Sequence, residues 1–307
     1  MSELNEAQQA VFDRLGAPPD SRPHFEPGLR DELRIELESG LAPVVARLTV
    51  DTLVLSKAVL EGVHGCEARF MAQDDFAWTP AMARGVVAHK AIELTISRRI
   101  PLPPLDMVDE ALAVLTADGY GVGDWLQRAD EATIDSVRAD ANTYLCKFLD
   151  CWPPISRAWR PATEASIRAE LFEGRVVLSG RPDLTIGRSE GTRAGKVIID
   201  FKTGGFAPAH RADLRFYALV DTLRTGTPPR LVATSYLDTA RLEPENVTVD
   251  LLHAEVRRTV DAGHKIVALR AGEREANRHP GAACRWCPLA EDCEPGQAHL
   301  AELDDQW

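Results

Sequence analysis

The sequence lacks several features that would place it at once in a particular class of protein. It contains no run of about eighteen apolar residues, so we expect no membrane-spanning helix. Its first residues, Met1–Glu6, lack the basic and apolar regions of a secretory signal, which predicts a cytoplasmic location. No internal repeat or low-complexity tract is visible, which argues against a repeat architecture. In a reducing compartment, the six cysteines are expected to be thiols or metal ligands rather than disulfides.

Positive charge is also in short supply. The chain has 35 Lys and Arg against 47 Asp and Glu, a formal net charge of −12 at pH 7. Because Lys and Arg bind phosphate groups, we expect any binding of nucleic acid to depend on a locally basic surface rather than on the total charge. Residues 253–279 are locally basic, and this pattern fits a solvated helix face and a DNA-binding track equally well. Their basic residues are Arg257, Arg258, Lys265, Arg270, Arg274 and Arg278, against four acidic residues.

Lysine in particular is rare, with 6 residues against 29 arginines. One of the six, Lys202, lies in the segment Ile198–Gly204, at the end of an apolar and β-branched run. Because side chains alternate along a strand, Asp200 and Lys202 are expected on the same face. A second acidic residue, Asp183, follows a Gly-Arg-Pro sequence near the end of another predicted strand.

Carboxylates at two strand ends are typical of a site for a hard divalent cation. Mg²⁺ and Mn²⁺ prefer oxygen ligands, usually one or two carboxylates with waters. Asp183 and Asp200 would supply two ligands, and the main-chain carbonyl of Phe201 a third. Lys202 would then position a water or stabilise charge on a phosphate. An isolated Asp-x-Lys is more often an exposed ion pair, but the apolar strand around this one disfavours that interpretation.

The cysteines predict a second, softer metal site. Cys284, Cys287 and Cys293 are separated by two and five residues, a spacing typical of metal ligands. Three thiolates leave one ligand missing, and Cys66 is the best candidate for the fourth. Ligation by four cysteines fits both structural zinc and a [4Fe–4S] cluster, and the spacing does not distinguish them.

Two other patterns are interpreted without metal chemistry. Cys146 and Cys151 flank a predicted helix end and are most simply small buried residues. The glycine-containing stretch Gly191–Val197 is one residue too short for a phosphate-binding loop and lacks the hydroxyl that binds magnesium. We interpret it as a turn before the lysine-bearing strand and predict no NTPase activity.

By pattern, the chain has a helical first half and a mixed second half. Helical periodicity covers residues 29–48, 56–70, 79–98 and 105–150, with Ser56 and Thr79 as candidate N-caps. Strand-like runs cover residues 164–171, 175–186, 196–202 and 231–237, and helices are expected at 210–225 and 251–272. This order predicts an α/β core. The expected segments are an N-terminal arm and helix (1–50), a helical region (51–155), the α/β core (156–275) and a cysteine-containing tail (276–307).

The acidic motifs resemble those of the PD-(D/E)XK nuclease superfamily, specifically its RecB-like and AddB-like branch. The segments that contain Asp183 and Asp200–Lys202 are similar to the second and third motifs of that branch. The branch also has a Gly-x3-His pattern on an upstream helix, which Gly85 and His89 match. The resemblance implies that His89 is a metal ligand.

The resemblance extends to an early acidic residue and to a tyrosine after the lysine strand. It implies that Glu164 is the acidic residue, with Glu170 as a competitor. It also implies that Tyr217 contacts DNA or orients the lysine. The family has a glutamine four residues before this tyrosine, whereas this chain has Asp213.

The four cysteines are similar to those that bracket the nuclease core in iron–sulfur members of the branch and in CRISPR-associated adaptation nucleases. They are Cys66, Cys284, Cys287 and Cys293. The resemblance implies a [4Fe–4S] cluster, with zinc as the alternative. It further implies a restriction-endonuclease-like α/β fold, a mixed β-sheet flanked by helices, wrapped by N-terminal helices and a C-terminal Fe–S segment.

The activity implied by the resemblance is Mg²⁺- or Mn²⁺-dependent hydrolysis of DNA. An exonuclease or a DNA-end-processing enzyme of repair or recombination is expected, acting on single strands or ends. Because related nucleases are often fused or bound to a helicase, a helicase partner is also expected. The alternative is a catalytically silent DNA-binding or structural Fe–S subunit of a helicase–nuclease or CRISPR adaptation complex. The intact acidic motifs favour the enzyme, whereas Asp213 and the net charge favour the silent subunit.

Overall fold

The computed structural model describes residues 3–72, 77–207 and 209–304 and shows alternating groups of helices and strands. The α-helices in these ranges are α1 (Glu6–Leu15), α2 (Leu29–Val45), α3 (Lys57–His64), α4 (Glu67–Met71), α5 (Pro80–Ser97), α6 (Pro104–Asp118), α7 (Val122–Arg128), α8 (Glu131–Cys151), α9 (Ala209–Thr225), α10 (Val249–Arg270) and α11 (Glu294–Asp304). The strands are β1 (Leu53–Leu55), β2 (Ala162–Thr163), β3 (Ile167–Leu171), β4 (Val176–Gly180), β5 (Leu184–Ile186), β6 (Val197–Lys202), β7 (Leu231–Tyr236) and β8 (Arg241–Asn246). Residues 1–2 and 305–307, the ends of the first and last predicted segments, lie outside the described residues.

The strands form two small sheets. One has the order β2-β5-β6-β7-β8, and the other has the order β1-β4-β3. Within the larger sheet, β6 pairs with β7 in parallel and with β5 in antiparallel orientation. Mixed sheets with helices on both sides confirm the predicted α/β class.

The larger sheet separates two hydrophobic cores. Alternation along β6 sends Ile198 into a core shared with α2, α9 and α10, and sends Phe201 into a core shared with α5, α6 and α8. The Phe201 ring meets Trp152 edge-on, with their centroids 5.2 Å apart. Asp200 and Lys202 follow the same alternation as Ile198, so the end of β6 places two charged groups beside α3 and α9.

The chain passes from the smaller sheet to the larger one in the segment that carries Asp183. Strands β3 and β4 lie within two of the predicted strand-like runs, 164–171 and 175–186, and pair in antiparallel orientation across the turn at Glu173. The predicted strand 175–186, however, is two strands in different sheets. Pro182 interrupts the run and has no N–H to donate to a ladder. Residues 181–183 therefore cross from β4 to β5 and bring Asp183 to the edge of the larger sheet.

The N-terminal segment, which was expected to be an arm, packs against the core. Asn5 caps α1, and its side chain accepts a hydrogen bond from the Gln8 N–H at 2.8 Å. Val11 and Phe25 are buried, and the Phe25 N–H donates to the Thr192 carbonyl at 3.0 Å. This segment therefore covers the turn between β5 and β6. Among the described residues, no helix combines the length and apolar character that crossing a membrane requires.

Candidate active site and cysteine site

Asp200 lies between two lysines at the end of β6. Its side chain is 2% exposed, with Oδ1 3.0 Å from Lys57 Nζ and Oδ2 2.7 Å from Lys202 Nζ. The second contact confirms that Asp200 and Lys202 share a face. Apart from this ion pair, Oδ2 has no donor in the described part of the chain. Burial opposes ionisation, but the two ammonium groups outweigh it and hold the pKa of Asp200 below its ordinary value.

Lys57 belongs to this site, although the sequence analysis did not assign it a role. It is the first residue of α3, and the predicted N-cap Ser56 accepts a hydrogen bond from the Val59 N–H at 3.4 Å. Lys57 Nζ also lies 5.3 Å from the centre of the Tyr217 ring. Burial lowers the pKa of Lys57, but the Asp200 carboxylate raises it above the ordinary value overall. The available signal was the scarcity of lysine together with a strong helix start.

Asp183, His89 and Glu164 form a second group in the site. Asp183 precedes β5, and its Oδ2 accepts a hydrogen bond from the Phe201 N–H at 2.6 Å. Its Oδ1 lies 3.2 Å from His89 Nδ1 on α5. Glu164 follows β2 with φ at 49°, which is uncommon for a residue with a side chain, and its N–H donates to the Asp183 carbonyl at 3.1 Å. One ligand atom from each of the three residues lies within 4.8 Å of the others.

The two carboxylates of this group repel each other, and both stabilise a positive charge on His89. Burial, followed by the Asp183 carboxylate, raises the pKa of Glu164 to about 7. Burial works against a charged His89, but Asp183 and other nearby carboxylates raise the pKa of this imidazole overall. A cation between the three side chains would relieve the repulsion between the carboxylates. One imidazole and two carboxylates therefore fit a divalent metal such as Mn²⁺ or Mg²⁺.

The structure places the predicted metal ligands in two separate groups of side chains. Those predicted were His89, Asp183, Asp200 and the Phe201 carbonyl. His89 and Asp183 converge with Glu164, whereas the carboxylate of Asp200 faces the lysines and Phe201 contributes its N–H. Glu170, the competitor of Glu164, lies on β3 and pairs with Arg168 at 2.8 Å. The early acidic residue that reaches the site is therefore Glu164.

Two residues of α9, Tyr217 and Asp213, contact the backbone and side chains of the site. Tyr217 is 2% exposed, and its hydroxyl donates to the Arg181 carbonyl at 3.2 Å. A Cβ at Gly180 would lie 2.3 Å from Tyr217 Cε1, so the ring packs on bare backbone there. Asp213 Oδ2 lies 3.7 Å from Lys202 Nζ, and burial raises the pKa of Asp213 although nearby lysines oppose the change. Tyr217 thus fixes the segment before β5 through its hydrogen bond, while Asp213 attracts the Lys202 ammonium group.

The charged groups line an open groove of about 1050 Å³. Helix α5, the α6–α7 loop, the end of β2, the segment before β5 and the end of β6 form its walls. Tyr120 on that loop is 76% exposed, and it stands between Gly119 and Gly121, both with positive φ. Such backbone angles favour glycine, so the loop sequence is suited to presenting this tyrosine. Arg181 is exposed in the groove and forms no ion pair within the described ranges.

The first candidate cluster cysteine is fixed against the C-terminal segment. Cys66 caps α4, and its Sγ lies 3.9 Å from the Asn277 carbonyl oxygen. The next residue, Glu67, is buried and accepts two hydrogen bonds from Arg274, at 2.6 and 2.7 Å. It also accepts one from the Asn277 N–H at 3.0 Å. This bidentate pair, the Glu67–Arg274 clamp, holds Cys66 beside the segment that leads to the other three cysteines.

Those three cysteines lie in the turns between Gly281 and α11. The Gly281 N–H donates to Cys284 Sγ at 3.4 Å, and the Cys287 N–H donates to the Cys284 carbonyl at 3.3 Å. A Cβ at Gly296 would lie 3.2 Å from Cys293 Sγ and 3.5 Å from Cys284 Sγ, so this glycine leaves space beside two thiols. Among the described residues, no three cysteine sulfurs lie within 4.8 Å of one another.

Half of the basic residues in the locally basic stretch on α10 and beyond are ion-paired. Arg258 lies 3.0 Å from Glu255, and Lys265 lies 2.8 Å from Asp261. Arg274 belongs to the Glu67–Arg274 clamp. Three of its six basic residues thus already have carboxylate partners, which favours a solvated helix face over a DNA-binding track.

The two patterns interpreted without metal chemistry stay outside the site. Cys146 and Cys151 are half-buried on α8, and burial raises the pKa of both thiols. The stretch Gly191–Val197 forms a turn before β6, closed by mutual main-chain hydrogen bonds between Glu190 and Arg193 at 2.9 and 3.1 Å. Neither feature lines the groove.

Comparison with known proteins gives one match of sequence family. Residues 54–294 match the model of the PD-(D/E)XK nuclease superfamily. The matched range begins in β1, ends at the start of α11 and contains every candidate site residue described above. No curated protein matches the chain.

Two solved structures resemble the chain more distantly. One is the crystal structure of a "Putative exonuclease" from Eubacterium rectale, with 12% identity, a TM-score of 0.44, and coverage of 81% of this chain and 88% of that one. The other is the crystal structure of SSO0001, with 12% identity, a TM-score of 0.34, and coverage of 85% and 95%. At these TM-scores the likenesses add nothing to the family match.

Proposed function

This chain belongs to the PD-(D/E)XK nuclease superfamily, and from that premise we propose that it is a metal-dependent DNA nuclease. We infer an exonuclease or DNA-end-processing activity of the kind used in repair or recombination. One observation carries the proposal: His89, Glu164 and Asp183 converge beside the ion-paired Asp200 and Lys202 in one open groove. A metal site, a buried anion and a lysine in one groove are the parts that phosphodiester hydrolysis needs.

His89, Glu164 and Asp183 would hold the metal ion. Their donor set suits Mn²⁺ and Mg²⁺, and the buried Oδ2 of Asp200 is a further candidate ligand atom. A divalent cation bound there supplies Lewis acidity and makes a water molecule a better nucleophile at neutral pH. The Phe201 N–H fixes the Asp183 carboxylate, so the site does not depend on the cation for its orientation.

Lys202 supplies positive charge in the groove. Its side chain is 19% exposed and is held between Asp200 at 2.7 Å and Asp213 at 3.7 Å. A cation already held in position stabilises negative charge that develops on phosphate oxygens without further reorganisation. Lys57 lies on the other side of Asp200 and pairs with its carboxylate. Because that carboxylate in turn holds Lys202, Lys57 acts as a positioning residue.

The groove also offers contacts for the substrate. Tyr120 presents an exposed ring, and stacking of a base on an aromatic ring contributes about 1–3 kcal/mol. Arg181 lies exposed in the same groove and can bind a phosphate. Stacking requires an unpaired base, so these contacts favour single-stranded DNA or frayed ends. A helicase partner would supply such strands.

We also infer a [4Fe–4S] cluster bound by Cys66, Cys284, Cys287 and Cys293. The Glu67–Arg274 clamp supports this inference, because it keeps Cys66 beside the C-terminal segment. The resemblance of the four cysteines to those of iron–sulfur members of the family supports iron–sulfur over zinc. The role of the cluster would be structural, since it would tie α3 and α4 to the tail. Iron, sulfide and zinc analysis after anaerobic purification tests this, and a colourless protein loaded with zinc would contradict it.

The activity is tested with end-labelled single-stranded DNA, double-stranded DNA and RNA of one sequence. We expect cleavage of DNA with Mg²⁺ or Mn²⁺, none with EDTA, and none by Lys202→Ala. Lys147→Ala is the matched control, because Lys147 pairs with Asp238 outside the groove. An active Lys202→Ala enzyme would contradict the mechanism. DNA binding without cleavage by the native chain would favour the catalytically silent subunit.

A further inference from the structure

A second cavity, of about 380 Å³, lies at the opposite end of β6 from the groove. Val197, the first residue of β6, lines this cavity, whereas Lys202, the last, lines the groove. The two residues are five positions apart, or about 16 Å along a strand. Helix α1 and the turn at 157–159 form the outer walls. No residue lines both spaces, so the cavity is separate from the candidate active site.

The cavity has a strongly positive lining. Its arginines are Arg22, Arg160, Arg188 and Arg230. Within the described ranges, none of these four forms an ion pair with a carboxylate. Glu190 also lines the cavity, but it pairs with Arg193 at 2.9 Å. A protein with a net charge of −12 thus concentrates unneutralised guanidinium groups in one place.

Two of these guanidinium groups are partly buried close to each other. Arg230 donates to the Leu15 carbonyl, while its Nε is buried without an acceptor among the described residues. Arg22 donates to the Ala17 carbonyl at 3.2 Å. A Cβ at Gly195 would lie 3.1 Å from Arg22 Nη1, so this glycine leaves the space that the guanidinium uses. Burial, and then the charge of Arg22, lower the pKa of Arg230, which shows the mutual repulsion that an anion would relieve.

Aromatic side chains form another part of the cavity wall, the aromatic wall. The rings of Phe12 and Trp159 lie 5.8 Å apart at 45°, and Phe12 is 42% exposed. Trp152 also lines the cavity. Aromatic faces stack on nucleobases, and arginine forks bind phosphate in a bidentate manner. The volume lies within the range of about 300–1,000 Å³ that is usual for small-ligand sites.

We propose that this cavity binds a nucleoside monophosphate, with its phosphate on the arginines and its base against the aromatic wall. The ligand is either a free nucleotide or the phosphorylated terminal nucleotide of a strand, since both present the same chemistry. The N-terminal segment contributes Phe12 and Arg22, so binding also holds this segment on the core. The proposal goes beyond the nuclease activity and does not depend on it.

Calorimetric titration of the full chain with 5′-dAMP, in EDTA to keep metal out of the groove, tests the proposal. We expect the Arg160→Gln/Arg188→Gln double variant, at two exposed positions, to bind about tenfold more weakly or worse. Arg230→Gln should weaken binding at least as much. Arg157→Gln is the matched control: it removes the same charge three residues from Arg160, outside the lining, and should change Kd by less than about twofold.

The outcomes separate this site from the groove. Lys202→Ala should bind dAMP like the native chain, whether or not the protein cleaves DNA. Adenosine and inorganic phosphate should each bind more weakly than dAMP. Competition by a 5′-phosphorylated oligonucleotide would identify a strand end as the ligand, and lack of competition would identify the free nucleotide. No binding of dAMP, equal binding of phosphate alone, or unchanged binding by the exposed double variant would overturn the proposal, even if Arg230→Gln fails to fold.

Discussion

At the level of single residues, Asp200 is a buried anion with a lysine on each side. Lys202 reaches into the groove and has a second carboxylate partner in Asp213. Lys57 lies behind Asp200 and over the ring of Tyr217. The two lysines therefore have different roles, although both neutralise the same carboxylate.

Replacement of Lys57 by methionine should slow cleavage by about tenfold or more with little change in the KM for DNA. The reason is that Asp200 loses one of two neutralising partners, so the position of Lys202 is less well defined. Steady-state kinetics on labelled DNA would measure the two constants separately. Lys147→Met, which breaks an exposed pair with Asp238, should leave both unchanged. A Lys57→Met enzyme with native kcat would remove Lys57 from the site.

Glu255 on α10 should make stability depend on pH. Burial raises its pKa from 4.5 to about 7, although Arg258 at 3.0 Å and then Arg215 oppose the change and Asp213 adds to it. Between these two values the folded protein binds more protons than the unfolded chain, so stability falls as pH rises through this window. The full effect is about 3 kcal/mol. Glu255→Gln should therefore stabilise the protein at pH 8 and do little at pH 5, as measured by urea unfolding. An equal effect at both values would contradict this explanation.

At the level of elements, β4 and α9 are in close contact where Gly180 meets Tyr217. A Cβ there would overlap a ring that is only 2% exposed. The same tyrosine hydroxyl binds the carbonyl of Arg181, so this contact aligns the crossover that carries Asp183.

Gly180→Ala should destabilise the protein by about 1–3 kcal/mol because the added methyl overpacks this contact. Chemical unfolding would measure the change. Gly28→Ala is a suitable control, since a Cβ there meets nothing within 4 Å. Gly180→Ala should also reduce cleavage, because the crossover shifts. Equal stability of the two variants would show that the ring can move aside.

The proposed cysteine site would link two elements distant in sequence, α4 and the turns before α11. Cys66→Ser should lower both the iron content and the melting temperature, because binding of the proposed cluster would contribute directly to folding. Cys146→Ser should keep native iron, since Cys146 lies on α8 and outside the cluster segment. Iron analysis beside thermal unfolding would test both variants. Retention of iron by Cys66→Ser together with its loss from Cys146→Ser would show that the fourth ligand is misassigned.

At the level of the whole molecule, strong local signals predicted most elements. The Thr79 cap and Pro80 predicted the start of α5, where the Thr79 side chain accepts a hydrogen bond from the Met82 N–H. The β-branched run predicted β6 within one residue. β8 was missed because half of its residues are charged and because it includes Pro244, which an edge strand tolerates.

The site was predicted in part. Spacing along one strand was sufficient to place Asp200 beside Lys202. The position of Lys57 could not be predicted, because it depends on how α3 packs across α9, a contact between residues far apart in sequence. The convergence of Glu164 with His89 depends likewise on a left-handed backbone at Glu164, which a strand pattern does not predict.

The most direct test of the account is Mn²⁺-dependent cleavage of end-labelled single-stranded DNA by the native chain and by Asp183→Ala. Asp183 links the proposed metal ligands to β6, because it contacts His89 and accepts a hydrogen bond from the Phe201 N–H. We therefore predict rapid cleavage by the native chain, and no cleavage above an EDTA control by Asp183→Ala with a native melting temperature and iron content. Cleavage by folded Asp183→Ala at the native rate would contradict the account.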